Sequence, residues 1–209
     1  IREAQLAAEL QVSRSPVREA LKMLEKQRLV EQTPRKGTKV AGLSKAYISS
    51  LYNITSALIV LAAEGCVEKS TPEDLKKINQ TVVNAADAVR RKDIHAYYTS
   101  FFDFSLTCLR AARDPLLEEM ILDLLPSVRR MQYLTFTLRS ESLYENLEIV
   151  ERGNDYLQQG NRGMAVETVK EYLAKEKEVA LKTLEAGREL INQHMKDPIV
   201  NPLESRESL

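Results

Sequence analysis

Val12-Ser13-Arg14-Ser15-Pro16-Val17-Arg18-Glu19-Ala20-Leu21 is the stretch on which the reading of this chain turns. Ser13 or Ser15 suits the cap of a helix, and Pro16 is tolerated only in the first turn, where a missing N–H costs nothing. From there Val17, Ala20, Leu21 and Leu24 follow the i, i+3, i+4, i+7 pattern of a packed face, while Arg14, Arg18 and Lys22 recur every fourth residue on another face. Upstream, Glu3 to Leu10 reads as a short helix with Leu6, Ala7 and Leu10 inward, stopped by Gln11-Val12-Ser13. Downstream, Leu29 to Thr33 and Thr38 to Ala41 are short β-prone runs around the breaker Pro34-Arg35-Lys36-Gly37, which predicts a hairpin with a basic tip. The order is helix, turn, helix, wing.

That order assigns roles by position. The major groove admits one helix, and the second helix of such a unit meets base edges with its N-terminal residues. Arg14, Ser15 and Arg18 occupy those positions: an Arg fork matches guanine O6 and N7, and a Ser hydroxyl reaches a phosphate or a base. Lys22 is a turn deeper and suits a phosphate. Arg35, Lys36 and Gly37 suit the backbone or minor groove, the glycine allowing close approach. With the capping Ser13 these eight residues are the candidate DNA-contacting set. Charge agrees: the chain is formally neutral, yet residues 1–41 hold nine Lys and Arg against five acids, so the basic segment is the part expected to meet a polyanion.

Beyond Gly42 the strand signal disappears, and about six helical segments follow, separated at Ser70-Thr71-Pro72, Lys92-Asp93, Asp114-Pro115, Arg139-Ser140 and Gly160-Asn161. Thr71-Pro72-Glu73-Asp74 combines a cap, a proline in the first turn and acids facing the positive end of the helix dipole. The last helix is expected from Met164 to His194. The reading divides the mainly α chain into a winged helix-turn-helix (residues 1–42), an all-helical domain (43–195) and a loose tail (196–209). With 44% apolar and 29% charged residues the composition is that of a globular protein. No uninterrupted apolar run approaches a membrane span; the best, Ala57 to Ala63, stops at Glu64 and reads as a buried helix. Cys66 and Cys108 lack CxxC spacing and read as buried, reduced thiols in the cytoplasm. No G-x-S-x-G, H-E-x-x-H or P-loop pattern is found, so no enzyme is expected.

Leu6-Ala7, the run from Val12 to Leu21, Leu24, Leu29-Val30 and Gly37-Thr38-Lys39-Val40 together resemble the GntR family of bacterial regulators. The helical part, with Phe104 nine residues after His95 and the segment Ala111 to Leu117, is similar to the FadR-like branch and its FCD effector domain. The resemblance implies a cytoplasmic homodimer on a palindromic DNA operator, most simply a repressor, answering to a metabolite such as an organic acid, a fatty acid or an acyl-coenzyme A. It also implies a further helix of the winged domain before Ile1.

Many FCD domains bind a metal through one Asp and three His. The equivalent positions fall at Phe101, Ser105, near Val150 and at Tyr172, and an effector-gripping Arg of the first FCD helix falls at Thr55. Asp103 is two residues off and expected on another side of its helix; His95, before a helix, and His194, in the tail, are the only histidines. The expectation is therefore no metal and no cofactor, with a comparatively apolar, hydroxyl-lined pocket. Thr55, Phe101, Ser105 and Tyr172 are its candidate residues, and Arg129, Arg130 and Tyr133 are candidates for an anionic head group. The alternative is a helical partner-binding or dimerisation module with no effector.

Overall fold

A computed structural model of the chain describes residues 1–33, 37–138 and 143–195. Arg35, Lys36, the Arg139-Ser140 break and the 196–209 tail lie outside the described residues.

The winged helix-turn-helix is present. Helix α1 (Glu3–Glu9) ends where Gln11 takes a left-handed φ of 54° and the Val12 N–H returns to the Ala7 carbonyl at 3.0 Å. Helix α2 (Arg14–Lys26) starts at Ser13 as N-cap, with Pro16 in its first turn. Ala7, Val17 and Leu21, supported by Leu6 and Leu24, make the small core of this unit. Two expected core positions are outside it. Leu10 is the C-cap of α1, beyond the helical period, and is 60% exposed. Ala20 lies on the edge of the packed stripe and is also exposed. Strands β1 (Val30–Thr33) and β2 (Gly37–Val40) pair antiparallel, with Val30 opposite Val40 and Thr33 opposite Gly37. Gly37 has φ +83°, which an L side chain adopts only with strain.

Among the described residues six helices follow: α3 (Lys45–Lys69), α4 (Pro72–Arg90), α5 (Ile94–Ala111), α6 (Pro115–Leu138), α7 (Leu143–Gln158) and α8 (Arg162–Met195). Side-chain caps fix several starts: the Tyr47 N–H donates to Ser44, Ala96 to Asp93, Leu117 to Asp114 and Met164 to Asn161. Since α5 begins at Ile94, His95 is in a first helical turn and not before the helix as expected from sequence, while α8, ending at Met195, closes one residue beyond its expected end at His194. The largest core cluster joins α4, α5, α7 and α8 through Val82, Val89, Tyr97, Phe101, Leu147, Val150 and Leu173. Helices α3 and α5 approach so closely that a Cβ at Gly65 would stand 3.1 Å from the Ala112 Cβ.

Helix α3 departs from expectation. It is the one helix among the described residues long and apolar enough, by length and composition, to cross a membrane. The sequence reading had counted an uninterrupted run, which Glu64 stops; a mean over the helix tolerates that one charge. It belongs to the bundle, with Ile48, Leu51, Tyr52, Ala62 and Cys66 buried, yet Ile54 and Leu61 remain 53% exposed each.

The α3–α4 corner carries a compact polar tie. Thr71 and Asp74 form a capping box, and Arg113, at a left-handed φ of 50°, reaches the Asp74 carboxylate at 2.6 Å and the Lys69 carbonyl at 2.5 Å. Hydrogen bonds from Thr71 first, then Arg113, hold the Asp74 carboxyl far below the ordinary carboxylate range. A depressed pKa stabilises the fold above the unfolded value of about 4, and that contribution fades as pH falls towards the folded value. Asp74→Asn should cost about 1 kcal/mol, a fall of about 2–4 °C in melting temperature at pH 7. In calorimetric melts from pH 7 to pH 3 the gap to the parent should be constant above pH 5 and narrow below pH 4; a gap that widens on acidification refutes the assignment.

Candidate nucleic-acid surface and effector cavity

Helix α2 turns its apolar stripe, Val17-Leu21-Leu24, inward because each residue advances about 100° round the axis. Arg14, Ser15, Arg18 and Lys22 then share a sector of about 100° beside that stripe, and all four are exposed, as is Ser13. Arg18 lies 3.4 Å from Glu3 and Lys22 2.9 Å from Glu19; with more than half of each cationic side chain in solvent, these are weak surface pairs. Gly37, at the start of β2, is the one predicted wing-tip residue within the described set.

In the helical domain a cavity of about 170 Å³ lies between α3, α5, α6, α7 and α8. Thr55, Phe101, Ser105, Val150 and Tyr172, five positions separated by up to 117 residues, all line it. The Phe101 and Tyr172 rings stack tilted at 5.2 Å. Ile59, Leu125, Val128 and Leu173 make up much of the remaining wall, and no lining residue among those described is charged. The polar atoms are few. Thr55 donates to the Leu51 carbonyl at 2.8 Å, Ser105 to Phe101 at 3.0 Å and Thr168 to Met164 at 2.8 Å. Gln132 Nε2 donates to the Tyr172 hydroxyl at 3.4 Å, whereas Gln132 Oε1 is buried without a partner among the described residues.

A divalent metal does not fit this site. The four positions equivalent to family ligands present a phenyl ring, a hydroxyl spent on its own helix, an isopropyl group and a phenol. Among the described residues no three His, Cys, Asp or Glu side chains come together. Asp103 is exposed.

The three other candidates stand elsewhere. Along α6 the cavity takes Ile121, Leu125, Val128 and Gln132, a stripe about 60° wide. Positions 129, 133 and 130 fall about 40°, 80° and 140° from Leu125, off that stripe. Arg129 is exposed, its guanidinium 4.8 Å from the Phe102 ring centroid. Tyr133 is 54% exposed and packs edge-on to Tyr98 at 5.7 Å. Arg130 turns away to the winged domain and donates to the Ala41 carbonyl at 2.8 Å. Beside it Ser127 donates to the Gln27 carbonyl at the end of α2 at 3.2 Å and accepts from the Tyr47 hydroxyl at 2.9 Å. Gln132, which the sequence reading did not single out, thus lines the cavity, whereas Arg130 does not.

Cys66 and Cys108, 42 residues apart, both line the cavity. Cys66 is buried, and its hydrogen bond with Cys108 draws its thiol pKa down while pushing that of Cys108 well up.

Residues 1–40 match the model for bacterial regulatory proteins of the gntR family, and residues 50–175 match the FCD domain. The chain belongs to the GntR family, FCD branch. It is 26% identical to the gluconate operon transcriptional repressor of Bacillus subtilis over 157 residues, 75% of this chain and 64% of that protein. It is 33% identical to the HTH-type transcriptional regulator YdhC of the same organism over 89 residues, 43% of this chain and 40% of that one. The chain thus spans less than two thirds of the length of these relatives. The solved structure of Escherichia coli McbR/YncC shares its fold, with a TM-score of 0.74 at 22% identity over 87% of this chain and 86% of that one. A GntR structure from Rhodococcus gives 0.70 at 21% identity with the same coverage. The family is one of transcription regulators, not of enzymes.

The α6 ties yield a direct test. Arg130→Ala removes a charge-assisted bond to the hinge between wing and bundle, a loss of about 1.5–3 kcal/mol where the partner is partly buried. Amide exchange of residues 37–44 should quicken by about tenfold or more, with α5 and α8 unchanged; protection identical to the parent would show the tie to be inert.

Proposed function

We propose that this chain is a cytoplasmic, metabolite-responsive repressor that binds a palindromic DNA operator as a homodimer and releases or tightens it according to an effector in the helical bundle. The observation that carries the reading is the exposed cationic sector of α2, Arg14, Arg18 and Lys22, set at the front of a helix whose adjacent stripe is committed to packing. A solvated basic helix would not need the accompanying turn and hairpin. The two gluconate operon repressors among its relatives, from Bacillus subtilis and Bacillus licheniformis, support repression.

Arg14, Ser15 and Arg18 read bases, Ser13 and Lys22 hold phosphates, and the hairpin tip, with Arg35, Lys36 and Gly37, follows the backbone. The effector enters the cavity walled by Thr55, Phe101, Ser105 and Tyr172, binds without a metal and is largely hydrocarbon where it meets the wall. A volume of about 170 Å³ accepts at most the acyl part of a thioester and not a coenzyme A nucleotide. Helix α6 joins this wall to the winged domain.

The operator test uses the chain on a palindromic duplex selected from a random pool. Arg14→Ala should flatten the base preference at one position in each half-site, at a cost of about 1–3 kcal/mol on the preferred sequence. Lys22→Ala should weaken all sequences alike and lower the salt slope by about one unit. Failure of the parent to prefer any duplex over random DNA would refute the proposal.

The dimer seat is the outer face of α3 and α6. Leu58 and Ala62 of α3 pack against Leu117 and Ile121 of α6, and flanking this contact Ile54, Leu61, Leu116 and Met120 are each about half exposed or more. The occupant is a second copy, because two-fold DNA demands two winged units and this apolar face belongs to the rigid bundle that would pair them. Leu61→Asp with Met120→Glu should convert the sedimenting species to a monomer at micromolar concentration while the helical circular dichroism is kept; a dimer that survives both changes places the interface elsewhere.

A further inference from the structure

The cavity holds an asymmetry that the family resemblance does not anticipate. Three hydroxyls on its wall have spent their protons: Thr55 on Leu51, Ser105 on Phe101 and Thr168 on Met164, all carbonyls one turn back on their own helices. What these side chains have left for a guest is lone pairs. Gln132 repeats the arrangement, its Nε2 turned to the Tyr172 hydroxyl and its Oε1 unpartnered. Gln132 is only 5% exposed, so that oxygen has no solvent to satisfy it, and it stands on the α6 stripe that walls the cavity. A buried acceptor without a donor is costly, and a guest supplying the donor removes that cost.

No cation among the described lining residues balances an anion. A carboxylate would lose its hydration and face lone pairs, two penalties of the same sign. A hydrocarbon would fill the space and leave Gln132 Oε1 unsatisfied. Size narrows the choice further, since an apolar cavity of about 150 Å³ accommodates one benzene ring, and this one is about 170 Å³.

We infer that the effector is a neutral, single-ring compound with a hydroxyl or N–H group, the class of phenols and small aromatic or alicyclic alcohols, whose donor hydrogen bonds Gln132 Oε1. The inference rests on the proposed effector role of the cavity and names the ligand class that role takes. It departs from the organic acids that the resemblance implied.

Four probes of nearly equal size isolate the donor: 1-phenylethanol, acetophenone, ethylbenzene and benzoate, each titrated calorimetrically into the full chain. The alcohol should bind about tenfold tighter than the ketone and the hydrocarbon, with benzoate weakest. In Gln132→Leu, checked by its melting curve, ethylbenzene should bind at least as well as in the parent and the preference for the alcohol should vanish. Acetophenone equal to or tighter than the alcohol would show that Gln132 offers its N–H instead, and benzoate as the tightest ligand would show a hidden cation; either overturns the inference while leaving the sensor reading intact. Operator release by a cell metabolite extract, with all four probes silent, also overturns the inference alone. An operator complex indifferent to both extract and probes overturns the sensor reading too.

Discussion

Helix α6 is committed on two sides, and much of the molecule's functional logic depends on that double commitment. One stripe, Ile121-Leu125-Val128-Gln132, is wall to the cavity. Another part of its circumference, through Ser127 and Arg130, bonds the carbonyls of Gln27 and Ala41, the exits of the recognition helix and of the hairpin. Between them sits Pro126, which lacks an N–H and breaks one i to i−4 bond in the same turn. A helix with one backbone bond missing bends more readily there than elsewhere. In the proposed sensor a ligand that presses on Leu125 or Val128 acts on the proline-containing turn of the element that contacts the winged domain, a short physical route between the two.

The recognition unit itself is thinly built. Its core is Ala7, Val17 and Leu21 with two partly buried leucines, and its hairpin has four residue pairs. Such a unit draws orientation from its neighbours. Ser127, itself held by Tyr47 of α3, meets it where α2 ends, and Arg130 meets it at the exit of the hairpin, so the direction in which Arg14 and Arg18 point is tied to the bundle at both places. The exposed cationic face of α2 and the cavity wall are thus connected by short-range contacts across α6 and not by the chain from Gly42 to Ser44 alone.

How much of this was legible in the sequence depends on how local the information was. The helix-turn-helix could be read because Ser13, Pro16, Val17 and Leu21 declare a cap, a first turn and a face within nine residues. The four cavity positions at 101, 105, 150 and 172 were found from their spacing in a related motif, and the fold brings them together. Arg129 and Arg130 were not separable in this way. They are neighbours in sequence but about 100° apart on α6, and only the phase of the cavity stripe says that one lies over Phe102 and the other reaches Ala41. That phase was available: Ile121, Leu125 and Val128 define it, and Gln132 continues it as a polar residue in an apolar row. Such an interruption is the sequence signature of a buried specificity group. The Cys66 and Cys108 thiols had no such signal, since only the packing of α3 on α5 brings them to one wall.

The lost metal ligands and the spent hydroxyls belong to one argument. A metal organises a ligand carboxylate by charge and fixes its orientation through coordination bonds. Once Phe101, Val150 and Tyr172 occupy those places, the described wall has no charge to hold an anion, and ring packing and one unpartnered amide oxygen are available to orient a guest. Phe101, stacked on Tyr172, limits the guest's thickness; Gln132, bonded to the same Tyr172, fixes where a donor must point. Because Gln132 also lies one turn beyond Val128 on α6, the group inferred to recognise the guest is part of the helix that contacts the winged domain. Recognition and transmission therefore share a structural element, and a guest that fills the cavity without engaging Gln132 has less purchase on α6 than one that does.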